Sequence, residues 1–149
     1  MSFSRTIAAV FAAAGVAAAA LAAPHAAVAA GANVCGLVTA PEATAAMGAA
    51  SLPGKLRVGK RSTSCRWYSA DRTKNVFVQT IGADDMQGAL QLGGKKISGI
   101  GDDAVWAAGS LFVKKGGKYM QVGLYRTAGS MQTMDAQIVP LGKAAAGRM

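Results

Sequence analysis

Cys35 and Cys65 are the only cysteines in the sequence, and what they can do depends on what stands near them. A catalytic dithiol usually has its two thiols close in sequence, and a zinc site needs histidine or further cysteine beside a pair of thiolates. Neither condition holds. A disulfide remains, the ordinary fate of an even cysteine count in an exported chain. By closing a loop of about 30 residues it contributes roughly 3–4 kcal/mol in the chain-entropy account, less any native strain.

Export is read from the first 29 residues. Arg5 gives a short positive n-region, Ile7 to Leu21 an apolar run, Pro24 a break, and Ala27-Val28-Ala29 the small residues that signal peptidase accepts. Residues 1–29 therefore read as a signal peptide cleaved before Ala30, and residues 30–149 as a single α+β domain, periplasmic or secreted. The rival is a retained anchor. The run is mostly alanine and Pro24-His25 interrupt it, so no transmembrane anchor is expected after cleavage. Asn33-Val34 stand before Cys35, where an acylated cysteine needs a small residue, so lipidation is not expected either. The leader takes away the one histidine, His25. The mature chain then lacks the commonest general base at neutral pH and the commonest transition-metal ligand.

The other reactive groups fall in turns and caps. Ser62, Ser64, Ser69, Ser98, Ser110 and Ser130 lie outside any GxSxG elbow, and no imidazole is left to activate them. A serine-lysine dyad using Lys60, Lys95 or Lys96, or a pair of carboxylates, is the hydrolase alternative. Glu42, the only glutamate, falls where a helix cap is needed. Gly99-Ile100-Gly101-Asp102-Asp103, taken with Asp84-Asp85, offers oxygens to calcium, but the spacing is not that of an EF-hand loop. Leu92-Gly93-Gly94-Lys95-Lys96 lacks the GxxxxGK[ST] pattern of a phosphate cradle. The sequence assigns no catalytic residue, no metal site and no cofactor.

Positive charge is the remaining lead. Of 16 basic side chains the leader removes Arg5, leaving 15 against 7 acidic ones, a net charge of about +8. Lys55, Arg57, Lys60 and Arg61 crowd one loop, and Lys114, Lys115 and Lys118 crowd a hairpin tip. Such clusters attract polyanions and anionic surfaces, and salt weakens the attraction. Arg66, Trp67, Tyr68 and Phe77 would add stacking of the kind that single-stranded nucleic-acid binders use, although an exported protein does not ordinarily meet nucleic acid. The plainer account has the lysines keep a small domain soluble and guard strand edges, with Trp67 and Trp106 in the core.

These residues need elements to hold them. Lys115-Gly116-Gly117-Lys118 is a two-residue turn tolerating the positive φ of primed hairpins. It pairs Val113 with Met120 and Leu111 with Val122, inside a meander from Ile97 to Tyr125. Cys65 to Ser69 and Val76 to Ile81 form a second hairpin around Ala70 to Lys74, with at most a short strand near Leu56 to Val58 before it. Thr39-Ala40-Pro41-Glu42 matches a capping box and opens a helix through Ala43, Ala46 and Met47 that Gly48 ends. Asp84-Asp85 open another, with Met86, Ala89, Leu90 and Leu92 as its apolar positions and Gly93-Gly94 as its stop. A last helical pattern runs through Met131, Met134, Ile138, Leu141 and Ala145, where Pro140 should kink the helix or split it in two. The expected fold is α+β: an antiparallel sheet of about five strands in two hairpin or meander units, packed by two to three short helices and stapled by one disulfide.

The order Cys-Gly-Leu-Val-Thr with a capped helix ending in Met-Gly (Cys35 to Gly48), then Cys-Arg-Trp-Tyr (Cys65 to Tyr68), Gly-Ile-Gly-Asp-Asp-Ala-Val-Trp (Gly99 to Trp106) and Leu-Phe-Val-Lys-Lys-Gly (Leu111 to Gly116) resembles small bacterial secreted and lipoprotein domains of unknown function. The resemblance covers most of the mature chain. It implies one disulfide and an antiparallel sheet packed by helices, and it implies no activity. The expectation is a non-catalytic binding or interaction domain, exported, whose partner is an anionic envelope component or a protein.

Overall fold

The computed structural model describes residues 33–126 and 135–149. The leader expected at residues 1–29, together with Ser130, Met131 and Met134, lies outside them. After a single 3-10 turn at Val34–Gly36 the chain enters α1 (Ala40–Met47). The Glu42 amide donates to the Thr39 hydroxyl and the Thr39 amide donates to the Glu42 carboxylate, so two orphan donors of the first turn are satisfied. Gly48 closes the helix at φ +60°, a conformation without penalty for glycine.

Three strands follow, β1 (Lys55–Val58), β2 (Thr63–Tyr68) and β3 (Lys74–Thr80), then α2 (Ala83–Gln91). Four more strands, β4 (Lys95–Lys96), β5 (Asp103–Ala107), β6 (Ser110–Lys115) and β7 (Lys118–Arg126), lead to α3 (Asp135–Gly147). All seven strands form one antiparallel sheet in the order β1-β2-β3-β7-β6-β5-β4. The two hairpin units are therefore joined at the middle, where β3 pairs with β7.

Seven strands replace the five or so expected from the sequence. The additional ones are the two edges, one of which, near Leu56 to Val58, the sequence allowed as a short strand. Each residue of β1 is exposed, so it shows no alternation, and β4 is two lysines long. Pairing with a neighbour, not a pattern of their own, makes them strands. At the Gly116-Gly117 turn, with φ +55° and +76°, the register is the one that the sequence requires: Val113 opposite Met120 and Leu111 opposite Val122.

That register sorts the sheet into two faces. The first carries Trp67, Val76, Val78, Leu111, Val113, Met120, Val122 and Leu124, and α1 and α3 pack on it with Met47, Ile138, Leu141 and Ala145. The second face is covered only in part. There α2 sets Met86 and Ala89 on Val105, Ala107, Phe112 and Tyr119 over β5 and β6, and among the described residues no helix lies on the same face of β1, β2 and β3.

Two helical expectations need correction. Of the two outcomes expected at Pro140, the split does not occur: α3 runs as one element with Pro140 on its exposed side, while Ile138, Leu141, Ala145 and Ala146 keep a continuous buried stripe. Burial of that stripe outweighs the one missing amide. Leu92 does not belong to the apolar face of α2, since it stands past the last helical residue, Gln91, and is 82% exposed.

Candidate functional site

The β1–β2 hairpin concentrates unpaired positive charge. Its register sets Lys55 opposite Arg66 and Arg57 opposite Ser64, so Lys55, Arg57 and Arg66 share the open second face. Lys60 and Arg61 sit in the connecting turn, which the Gly59 amide closes by donating to the Ser62 carbonyl at 2.8 Å. Lys55, Arg57, Lys60 and Arg61 are all exposed, and none of their side chains has a hydrogen-bond or ion-pair partner among the described residues. No acidic residue occurs between Glu42 and Asp71 to balance them.

Beside them the open face is partly aromatic. The Arg66 guanidinium lies 5.5 Å from the centre of the Phe77 ring, within cation–π range. Phe77 can lie across β7 because residue 123 is glycine; a Cβ there would run into the ring and the Ser110 hydroxyl. Gln79 Nε2 donates to Gln121 Oε1 at 2.6 Å one row along, and Tyr125 is exposed at the far end. Trp67 faces the other way, 3% exposed in the core, and Trp106 packs against the same core. Strand alternation thus keeps Arg66, Tyr68 and Phe77 of the expected stacking set on the open face and withdraws Trp67.

The lysines of the meander tip are used differently. Lys115 Nζ donates to the Ala146 carbonyl at 2.6 Å and Lys118 Nζ to the Met149 carbonyl at 3.2 Å, so both grip the C-terminal end of α3. Lys74, which the sequence reading did not single out, does the same for α1 through the Met47 carbonyl at 2.7 Å. Free carbonyls and the negative end of the helix dipole are what a cation meets there. Lys114 lies across the sheet from Asp103 with its Nζ 5.9 Å from the centre of the Tyr119 ring. Both basic clusters lie at one end of the sheet, but β1 and β6 are four strand spacings apart, about 19 Å. The fold does not merge them into one site.

The acids are held by local structure. Glu42 Oε1 and Oε2 accept from Arg148 Nη2 and Nη1 at 2.6 and 2.9 Å. The Arg148 hydrogen bond is the main cause, with the Thr39 amide and hydroxyl adding to it against burial, that lowers the Glu42 pKa to about 2. The Ser69 hydroxyl, followed by the Thr73 amide and hydroxyl, holds the Asp71 pKa below the usual carboxylate range. Asp102 accepts from the Gly116 amide at 2.7 Å, Asp85 from the Gly82 amide at 2.8 Å, and Asp103 lies 3.5 Å from Lys96 Nζ. Among the described residues no three of His, Cys, Asp and Glu gather as metal ligands would.

Of the candidate serines, Ser69 is engaged in structure. Ser69, fully buried, bonds Asp71 and the Lys74 backbone, and the lysine ammonium groups with hydrogen bonds among the described residues donate to main-chain carbonyls. A shallow groove of about 380 Å³ between α1 and α3 is lined by Glu42, Ala45, Ala46, Gln137, Leu141 and Ala144, and its one carboxylate is the one paired with Arg148. Cys35 and Cys65 are joined as a disulfide, tying the turn before α1 to β2.

Sequence reasoning missed Arg148 as the partner of Glu42 and the helix-gripping role of three lysines, because each depends on a contact spanning 27 or more residues. The signal for the Phe77 platform was present in Gly123, a glycine in the interior of an otherwise apolar strand. Compared with protein-family models, with curated proteins and with solved structures, the chain matches none.

Proposed function

We propose that the protein is an exported, non-catalytic binding domain of the small bacterial secreted type it resembles, and that its β1–β2 hairpin engages an anionic envelope component or an acidic protein partner. The observation that carries the reading is the division of its positive charge. Lys74, Lys115, Lys118 and Arg148 are bound to helix ends or to Glu42, whereas among the described residues Lys55, Arg57, Lys60 and Arg61 have no such partner and border a sheet face that no helix covers. An unpaired, acid-free cluster attracts anions at long range, and it does so more strongly at low ionic strength. Export is supported by the disulfide, which persists in oxidising compartments. It is also compatible with no helix among the described residues being long and apolar enough to cross a membrane.

The test is retention on vesicles of anionic phospholipid and on immobilised polyglutamate, at low and at physiological salt. Retention should fall with salt and be lost when Lys55, Arg57, Lys60 and Arg61 are replaced together by serine. Replacing Lys115 and Lys118 by methionine should leave most of it. No retention on either surface at either salt removes the charge argument.

A further inference from the structure

The outer edge of β1 has a polarity that its charges alone do not explain. Because the Gly59 amide bonds the Ser62 carbonyl, alternation along an antiparallel pair makes Arg57–Ser64 and Lys55–Arg66 the hydrogen-bonded pairs of the ladder. The amides and carbonyls of Leu56 and Val58 therefore point away from β2, along an edge of the sheet that no other described strand pairs with. Their side chains project on the first face beyond the helices, 49% and 75% exposed, while Lys55 and Arg57 project on the second. Short length, lysine and proline guard an edge against indiscriminate pairing, and Pro53, Lys55 and Arg57 do so here, but such guarding does not call for exposed apolar side chains opposite the charges. This one keeps leucine and valine there and is charged on one side only.

We propose, resting on the binding reading above, that an acidic, extended segment of a partner protein adds to the sheet as an eighth strand along β1. Its backbone pairs with Leu56 and Val58, and its side chains alternate, apolar ones on the Leu56 and Val58 side and carboxylates beside Lys55 and Arg57. Lys55 and Arg57 then occupy the non-hydrogen-bonded positions of the new pair, where facing side chains approach most closely. A second copy is the poorer occupant, since β1 against β1 sets Lys55 and Arg57 against like charges. A lipid or glycan surface would leave the outward amides unused.

The experiment uses the full chain and three probes: an eight-residue peptide alternating glutamate and valine, a peptide of the same composition with the two residues in blocks, and polyglutamate. The alternating peptide should bind at least tenfold more tightly than the block peptide and should slow amide exchange at Leu56 and Val58. Leu56→Pro removes an amide that the β1–β2 ladder does not use; it should weaken the alternating peptide at least tenfold and leave polyglutamate binding unchanged. If that variant does not fold, Val58→Pro removes the next outward amide, and the peptide comparison on the unaltered protein decides in any case. Equal affinity for the two peptides, without protection of Leu56 and Val58, overturns strand addition while the charge reading stands. Failure of all three probes to bind overturns both. A β1-dependent dimer formed without peptide overturns the proposal in favour of a second copy.

Discussion

Glu42 and Arg148 are joined by two hydrogen bonds, Nη2 to Oε1 at 2.6 Å and Nη1 to Oε2 at 2.9 Å, across a sequence separation of 106 residues. Arg148 Nη1 also donates to the Leu37 carbonyl at 2.9 Å, so the residue just past α3 clamps the segment leading into α1. Because folding lowers the Glu42 pKa from 4.5 to about 2, the stabilisation is complete above the unfolded value and is lost as pH falls through the folded one. The two side chains are 26% and 38% exposed, and after solvent screening the pair is expected to contribute about 1–2 kcal/mol. Urea unfolding should show that amount disappearing between about pH 5 and pH 2. Arg148→Met should lower stability near neutral pH and flatten this acid limb. An unchanged acid limb would mean that the clamp contributes nothing.

The disulfide should matter more than any ion pair. Cys35–Cys65 closes 30 residues of chain and joins the turn before α1 to the second strand of the sheet. Replacing both cysteines by alanine is expected to cost about 3–4 kcal/mol, a large part of the stability of a domain this size. Melting with and without reductant measures it; coincident transitions would contradict it.

Two helical glycines should respond oppositely to the same substitution. Gly88 in α2 has nothing within 4 Å of a prospective Cβ, so Gly88→Ala should stabilise by up to about 1 kcal/mol through helix propensity. Gly142 lies where a Cβ would strike the Leu111 side chain, since the glycine lets α3 settle directly on β6. Gly142→Ala should therefore destabilise by about 1–3 kcal/mol through overpacking. Denaturant midpoints shifting in the same direction would show that α3 is not seated on the sheet as described.

The two groups of basic residues should separate stability from binding. Lys115→Met removes the bond to the Ala146 carbonyl and is expected to cost about 0.5–1.5 kcal/mol with little effect on anion retention. Lys60→Ser with Arg61→Ser should stay within about 0.5 kcal/mol of the original stability and weaken retention. The reverse pattern would place the binding surface at the meander tip.

Much of the local structure was legible because short-range rules set it. Thr39 and Glu42 announced the first helix, Gly116-Gly117 set the β6–β7 register, and the two cysteines implied their bond. The order of strands was not legible. β3 meets β7 by apolar matching of Val76 and Val78 with Leu124 and Val122, and many alternating segments could satisfy that match. The edges were faint for a related reason: a short strand near Leu56 to Val58 was the most the sequence allowed and Lys95–Lys96 gave no sign, since neither has a buried–exposed rhythm and a neighbouring strand makes them strands. In the candidate site the charges were visible but their fates were not. Lys60 and Lys115 read alike in sequence, and only the position of the α3 C-terminus distinguishes them.

The most direct measurement is a residue-by-residue NMR titration of the protein with polyglutamate at low salt. The predicted result is that backbone signals move along Lys55 to Arg66 and around Phe77, reverse when salt is added, and leave Lys115 to Lys118 in place. Shifts centred on the meander tip, or none anywhere, would contradict an unpaired β1–β2 hairpin as the surface that meets an anionic partner.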